Sequence, residues 1–101
     1  MEFYKLIYAK RAYRDLDGLF DYIHAKSFLS RAIAFRKEIE QKINRLKKDP
    51  RIGKPVGENK YKLIRKPYSI YYKINEQNKT VYVRHIRHDS QRPLKNNFPS
   101  F

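Results

Sequence analysis

The spacing of apolar positions divides the chain into a strand, two helices and three further strands. Residues 3–8, FYKLIY, are aromatic and β-branched enough for a strand. From residue 10 the period lengthens. Ala12, Leu16, Leu19, Phe20 and Ile23 recur at helical spacing, with Asp15, Asp17 and Asp21 largely off that stripe on what reads as a solvated face. Gly18 lies inside this helix at a cost of about 1 kcal/mol relative to Ala. AKSFLS is a short break, with Ser30 or Ser27 available to cap a second helix whose stripe is Ala32, Phe35, Ile39, Ile43 and Leu46. Lys and Arg crowd its last turns, which suits the negative end of the helix dipole, and KKDP stops it.

RIGKPVGENK has the composition of a Gly/Pro loop. Three strand-like runs follow. YKLIR (61–65) ends before Pro67, YSIYYKI (68–74) sets Tyr68, Ile70, Tyr72 and Ile74 on one face, and TVYVRHI (80–86) returns after the turn NEQNK. The order β-α-α-β-β-β predicts an α+β fold in which a helical hairpin covers one face of a small, mostly antiparallel four-stranded sheet. Residues 1–93 form a single domain in this reading, and 94–101, which include Phe98, form an aperiodic C-terminal tail.

The last strand carries an irregularity. Val81 and Val83 share a parity, whereas Ile86 has the opposite one, so either Ile86 faces away from the core or a bulge resets the phase. The answer decides whether His85 or His88 points out with the arginines. With simple alternation His85 falls on the Val81/Val83 face and is structural. For His88 two readings stand: a strand-end histidine bonded to backbone or to Asp89, or a residue that contacts a target. At i,i+3 on a strand the two rings fall on opposite faces, so a shared metal is not expected.

Charge changes the picture most. Against 24 Lys+Arg there are 10 Asp+Glu, a net +14 with a pI near 10.1. Residues 59–101 hold ten Lys/Arg but only two acids, Glu76 and Asp89. Because these bases alternate with Tyr, Ile and Val, they point to a folded basic face and an anionic partner. The expected target or anion-binding residues are Arg65, Arg84, Arg87, His88 and Arg92. Tyr61, Tyr68, Tyr71, Tyr72 and Tyr82 could stack bases, but most are expected as core or cross-strand pairs. There is no cysteine, which removes disulfide and thiolate chemistry, and no run of 18 apolar residues. A soluble cytoplasmic protein with no cofactor, no metal, no small-molecule substrate and no membrane partner is the expectation.

Taken in order, AYRDLDGLFDYI, AIAFRKEIEQKINRLKKDPRIGKP, KLIRKPYSIYYKI and VYVRHIRHDSQRP resemble the RelE/ParE superfamily of bacterial type II toxin–antitoxin toxins across nearly the whole chain. The Y-x-I-x-Y-x-I strand and the long helical hairpin are closer to the ParE-like branch. The resemblance implies a growth-inhibiting toxin of the plasmid-stabilisation type, neutralised by a cognate antitoxin protein. In the ParE-like branch the target is DNA gyrase and the toxin is no enzyme. In the RelE-like branch the toxin is a metal-independent endoribonuclease that cuts messenger RNA on the ribosome.

Cleavage would need a base for the attacking 2′-OH, cations for the charged transition state and an acid for the leaving oxygen. Lys60, Lys62, His88 and Arg92 match such positions by resemblance. Ser69 departs from the nuclease pattern, which has an arginine after the tyrosine opening that strand. This favours gyrase binding over cleavage. A third alternative, from a different class, is a non-toxic basic nucleic-acid-binding module.

Overall fold

The computed structural model describes residues 3–90. The described chain runs β1 (Lys5–Tyr8), α1 (Lys10–Lys26), α2 (Leu29–Asn44), one 3₁₀ turn (Arg45–Lys47), β2 (Lys54–Gly57), β3 (Lys60–Arg65), β4 (Tyr68–Asn75) and β5 (Thr80–His88). The sheet order is β1-β5-β4-β3-β2. β1 pairs with β5 in parallel and every other pair is antiparallel. The α+β class and the helical hairpin over one sheet face are as the sequence predicts. The tail 94–101 and Arg92 lie outside the described residues.

The sheet has five strands where the sequence predicts four. The extra strand, β2, comes from the Gly/Pro stretch taken as loop. Its four residues, KPVG, have no apolar alternation to reveal them. As an edge strand β2 can hold Pro55, whose missing N–H is not needed on the outer side. Two contacts seat its approach. The Tyr72 hydroxyl donates to Pro50 O at 2.6 Å and accepts from Gly53 N at 3.0 Å. A Cβ at position 53 would lie 2.5 Å from that hydroxyl and 2.8 Å from Lys62 O, so glycine is required by space alone. At the next turn, Glu58–Asn59, Asn59 takes φ 56° in the left-handed region that asparagine tolerates.

The hydrophobic core sits between the helices and the inner sheet face. Leu16, Ile39, Ile43, Leu46, Ile70, Tyr72, Ile74, Val81 and Val83 are all fully buried. Each removes roughly 1.5–3 kcal/mol worth of apolar surface from water. The stripes read from sequence supply this core, with Phe35 and Ile23 packed at its border. The expected serine cap on α2 is not formed. Phe28 is its N-cap and has no side-chain hydrogen bond, while Ser27 closes α1 through its backbone N–H to Ile23 O.

The first-helix aspartates are more than a solvated face. Asp17 pairs with Arg36 of α2 at 2.8 Å, and Asp15 accepts the backbone N–H of Ile86 at 2.9 Å. A second tie joins distant segments: the Tyr4 hydroxyl donates to Glu76 Oε1 at 2.6 Å, and Arg51 holds Glu76 Oε2 at 2.7 Å.

Candidate functional site

Residues directly opposite one another across paired strands share a face. The inner face takes Tyr61, Leu63 and Arg65 from β3, Tyr68, Ile70, Tyr72 and Ile74 from β4, and Val81, Val83 and Ile86 from β5. The outer face, turned away from the helices, therefore takes the other set. One cross-strand row is Lys54, Lys62, Tyr71 and His85, and the next is Lys60, Lys73, Tyr82 and Ile7. A third is Ile64, Ser69 and Arg87. None of the five strands contains an Asp or a Glu.

A bulge settles the phase of β5. Tyr72 pairs with Val83 but Tyr71 pairs with His85, which leaves Arg84 as the inserted residue. Both Val83 and Ile86 thereby reach the core, at 0% and 5% exposure. The bulge region lies beyond the end of β1, where no neighbouring strand is left to accept the Ile86 N–H, and the Asp15 carboxylate takes that place. The expectation that His85 shares the Val81/Val83 face is thus corrected. His85 sits on the outer face opposite Tyr71, with its Nδ1 buried.

His88 turns to the helix side. Its ring meets Tyr68 edge-on at 5.1 Å, and its Nδ1 accepts from Ser90 N at 3.0 Å and lies 2.6 Å from Ser90 Oγ. It lines a groove with Tyr22, Arg31, Pro67 and Tyr68. The backbone bond expected of it is present, made to Ser90.

Of the residues singled out by sequence, Lys60, Lys62 and Arg87 come together on the outer face, with Arg84 at the bulge. His88 lies behind the sheet from the two lysines. Arg65 also turns inward. Its guanidinium pairs with Glu38 of α2 and stacks 4.7 Å from the Phe35 ring centroid, so it fastens the hairpin to the sheet. Lys54, Lys73 and His85 belong to the outer face and were not among the sequence candidates. Lys73 could have been found from its parity with Tyr71, whereas Lys54 and His85 required the extra strand and the bulge.

The five tyrosines divide by face: Tyr61, Tyr68 and Tyr72 serve the core, and Tyr71 and Tyr82 lie outside, half-buried. Burial pushes the Tyr71 hydroxyl above its ordinary range, Arg87 draws it back and Asp89 adds to the rise.

Ser69 marks the end of this face. It is 4% exposed, and its hydroxyl donates to Asp89 Oδ1 at 2.9 Å. Where the nuclease pattern has a cation, this face carries a hydroxyl bonded to a carboxylate. Arg87 stands directly across from Ser69 on β5, so a carboxylate and a guanidinium lie side by side at this end of the face.

Residues 6–93 match the family described as the ParE toxin of the type II toxin–antitoxin system parDE. The chain belongs to the ParE toxin family. A search of curated protein sequences gave no significant match.

Among solved structures, the fold is similar to a chain of the chromosomal ParDE system from P. aeruginosa. That match has TM-score 0.72 and 18% identity, and covers 85% of this chain and 96% of that one. It is also similar to a chain of the intact E. coli RelBE toxin–antitoxin complex, with TM-score 0.64, 20% identity and coverage of 88% and 99%. A chain of the RelBE2 toxin–antitoxin complex from Mycobacterium tuberculosis gives TM-score 0.58 at 25% identity, with coverage of 87% and 93%.

Proposed function

We propose that this ParE-type toxin arrests growth by binding DNA gyrase as a protein ligand, and that a cognate antitoxin neutralises it. The observation that carries the reading is the Ser69–Asp89 pair. Transition-state charge on a scissile phosphate needs preorganised donors, and one lost donor costs roughly 3–4 kcal/mol of barrier. The separation of His88 from Lys60 and Lys62 by the thickness of the sheet supports the same conclusion, since an acid or base must reach the reacting atoms.

The RelE-like alternative draws support from Lys60 and Lys62 sharing one face, which supplies cations but no complete acid–base set. An antitoxin partner is supported by the similar chains, which come from toxin–antitoxin systems and complexes.

The test is a supercoiling assay with purified gyrase and relaxed plasmid, run beside messenger integrity in induced cells. The expected result is blocked supercoiling with intact transcripts. Full supercoiling in the presence of growth-arresting amounts of toxin would overturn the proposal, as would cleavage of messenger before arrest.

A further inference from the structure

We propose that the groove beside Gly18 is where this toxin grips gyrase, through an apolar segment of the target flanked by acidic residues. The inference rests on the gyrase reading above and adds to it the surface used.

The first support is Gly18 itself. It sits in the middle of α1, where glycine is the poorest helix former after proline. Packing does not require it, because a Cβ built there meets nothing within 4 Å among the described residues. Backbone conformation does not require it either, since its φ is negative. What the glycine leaves is bare backbone on the helix surface, on which another chain can lie closer than any side chain would allow.

The second support is what surrounds that bare patch. Gly18, Leu19, Tyr22, Tyr68, Ile86 and His88 line a space of about 440 Å³ between α1 and the end of β5. Through Tyr22, Tyr68 and His88 it continues into one of about 410 Å³ by the turn between the helices, walled by Ile23, Phe35 and Pro67. Tyr22 is 52% exposed there. Tyrosine and arginine are side chains on which protein interfaces concentrate their binding energy.

Charge selects the occupant. Arg14, Lys26 and Arg31 stand along the groove. The acid that lines it among the described residues, Asp15, has its carboxylate on the Ile86 N–H and on Arg11. An incoming segment with apolar side chains for the rings and carboxylates for the cations fits these walls. A second copy of this chain, at net +14, would be repelled.

The experiment measures binding of the full chain to immobilised gyrase, beside thermal unfolding of each variant. Gly18→Leu should melt at or above the wild-type temperature, since leucine is the better helix former and its Cβ enters open space. It should nevertheless weaken gyrase binding by about tenfold or more. R14Q/R31Q tests the rim without touching Gly18, and should weaken binding severalfold and reduce its salt dependence. K37Q, which lines a separate pocket beside Tyr8 and Tyr13, should stay within about twofold of wild type.

Wild-type protein that binds no gyrase defeats the gyrase reading and this inference with it. Wild-type and G18L chains that bind alike defeat the groove alone, as does an equal loss in K37Q. If G18L melts well below wild type, R14Q/R31Q decides: unchanged binding overturns the proposal and weakened binding upholds it. Two further results would overturn it by naming another occupant. Retained gyrase binding in G18L with lost rescue by co-expressed antitoxin would give the groove to the antitoxin, and a wild-type dimer that G18L dissociates would give it to a second copy.

Discussion

Ser69 and Asp89 are joined at the end of the outer sheet face, the buried hydroxyl of one donating at 2.9 Å to the exposed carboxylate of the other. Because Asp89 is solvated, Ser69→Ala should lower stability by no more than about 1 kcal/mol in urea unfolding. Ser69→Arg puts a long side chain where only 4% of the surface is open, and should cost roughly 1–3 kcal/mol. It should confer no messenger cleavage on gels, since His88 stays behind the sheet.

Gly53 and Tyr72 form a coupled pair. Gly53→Ala places a methyl 2.5 Å from the tyrosine hydroxyl and should destabilise by about 1–3 kcal/mol. Tyr72→Phe removes the bonds to Pro50 O and from Gly53 N and should cost a similar amount. In the double variant the hydroxyl is gone, so the two losses should sum to less than their separate values in a double-mutant cycle.

The Asp15–Ile86 bond holds the bulge. Asp15→Ala leaves a part-buried N–H without its acceptor and should cost about 1–3 kcal/mol, while Asp15→Asn keeps an acceptor and should cost much less. Thermal unfolding of the two variants reads the difference directly.

Arg65, expected from sequence at the target surface, should behave as a fold residue. Arg65→Ala removes the pair with Glu38 and the stacking on Phe35, and should lower stability by roughly 0.5–1.5 kcal/mol. Growth arrest on induction should be retained, whereas a loss of arrest in a folded variant would return Arg65 to the target surface.

Stability should decline at both ends of the pH scale, each for a definite reason. Burial raises the Tyr8 and Tyr72 hydroxyls from 10.0 to about 12. A raised acid binds its proton more tightly when folded, so this stability is fully present below about pH 10 and disappears as pH rises through about 12. On the acid side, the Arg65 hydrogen bond holds the Glu38 carboxyl below its usual range, and the Tyr4 hydroxyl, then Arg51, does the same for Glu76. Those contributions are present above the ordinary carboxylate range and are lost as pH falls through the depressed values. Chemical unfolding across pH should follow this outline, with tyrosinate absorbance lagging behind that of free tyrosine.

The elements with a strong period were legible in the sequence. The stripes Leu16–Leu19, Ile39–Ile43 and Ile70–Tyr72–Ile74 are the core because periodicity reports which face is buried. β2 was not legible, since a short edge strand with Pro55 has neither alternation nor propensity. The parity conflict between Val83 and Ile86 announced a possible bulge but not which histidine it would expose. That choice depends on Asp15, 71 residues away from Ile86 in the chain. The basic face was visible as a charge excess, yet its membership was not, because Arg65 found Glu38 and Lys54 needed a strand to stand on.

The parallel pair among the described strands has a mechanical consequence. β1 enters near the N-terminus and β5 leaves toward the C-terminus, side by side and in the same direction, from Lys5↔Thr80 to Tyr8↔Val83. Traction on the two ends slides these strands past each other, so their hydrogen bonds bear load together instead of parting one by one like a zipper. The Tyr4–Glu76–Arg51 tie lies at the foot of the same pair and shares the load. Forced extension is governed by the rate of unfolding rather than by equilibrium stability. An ATP-driven unfoldase pulling against such a clamp works against more resistance than an antiparallel pair of equal length would offer.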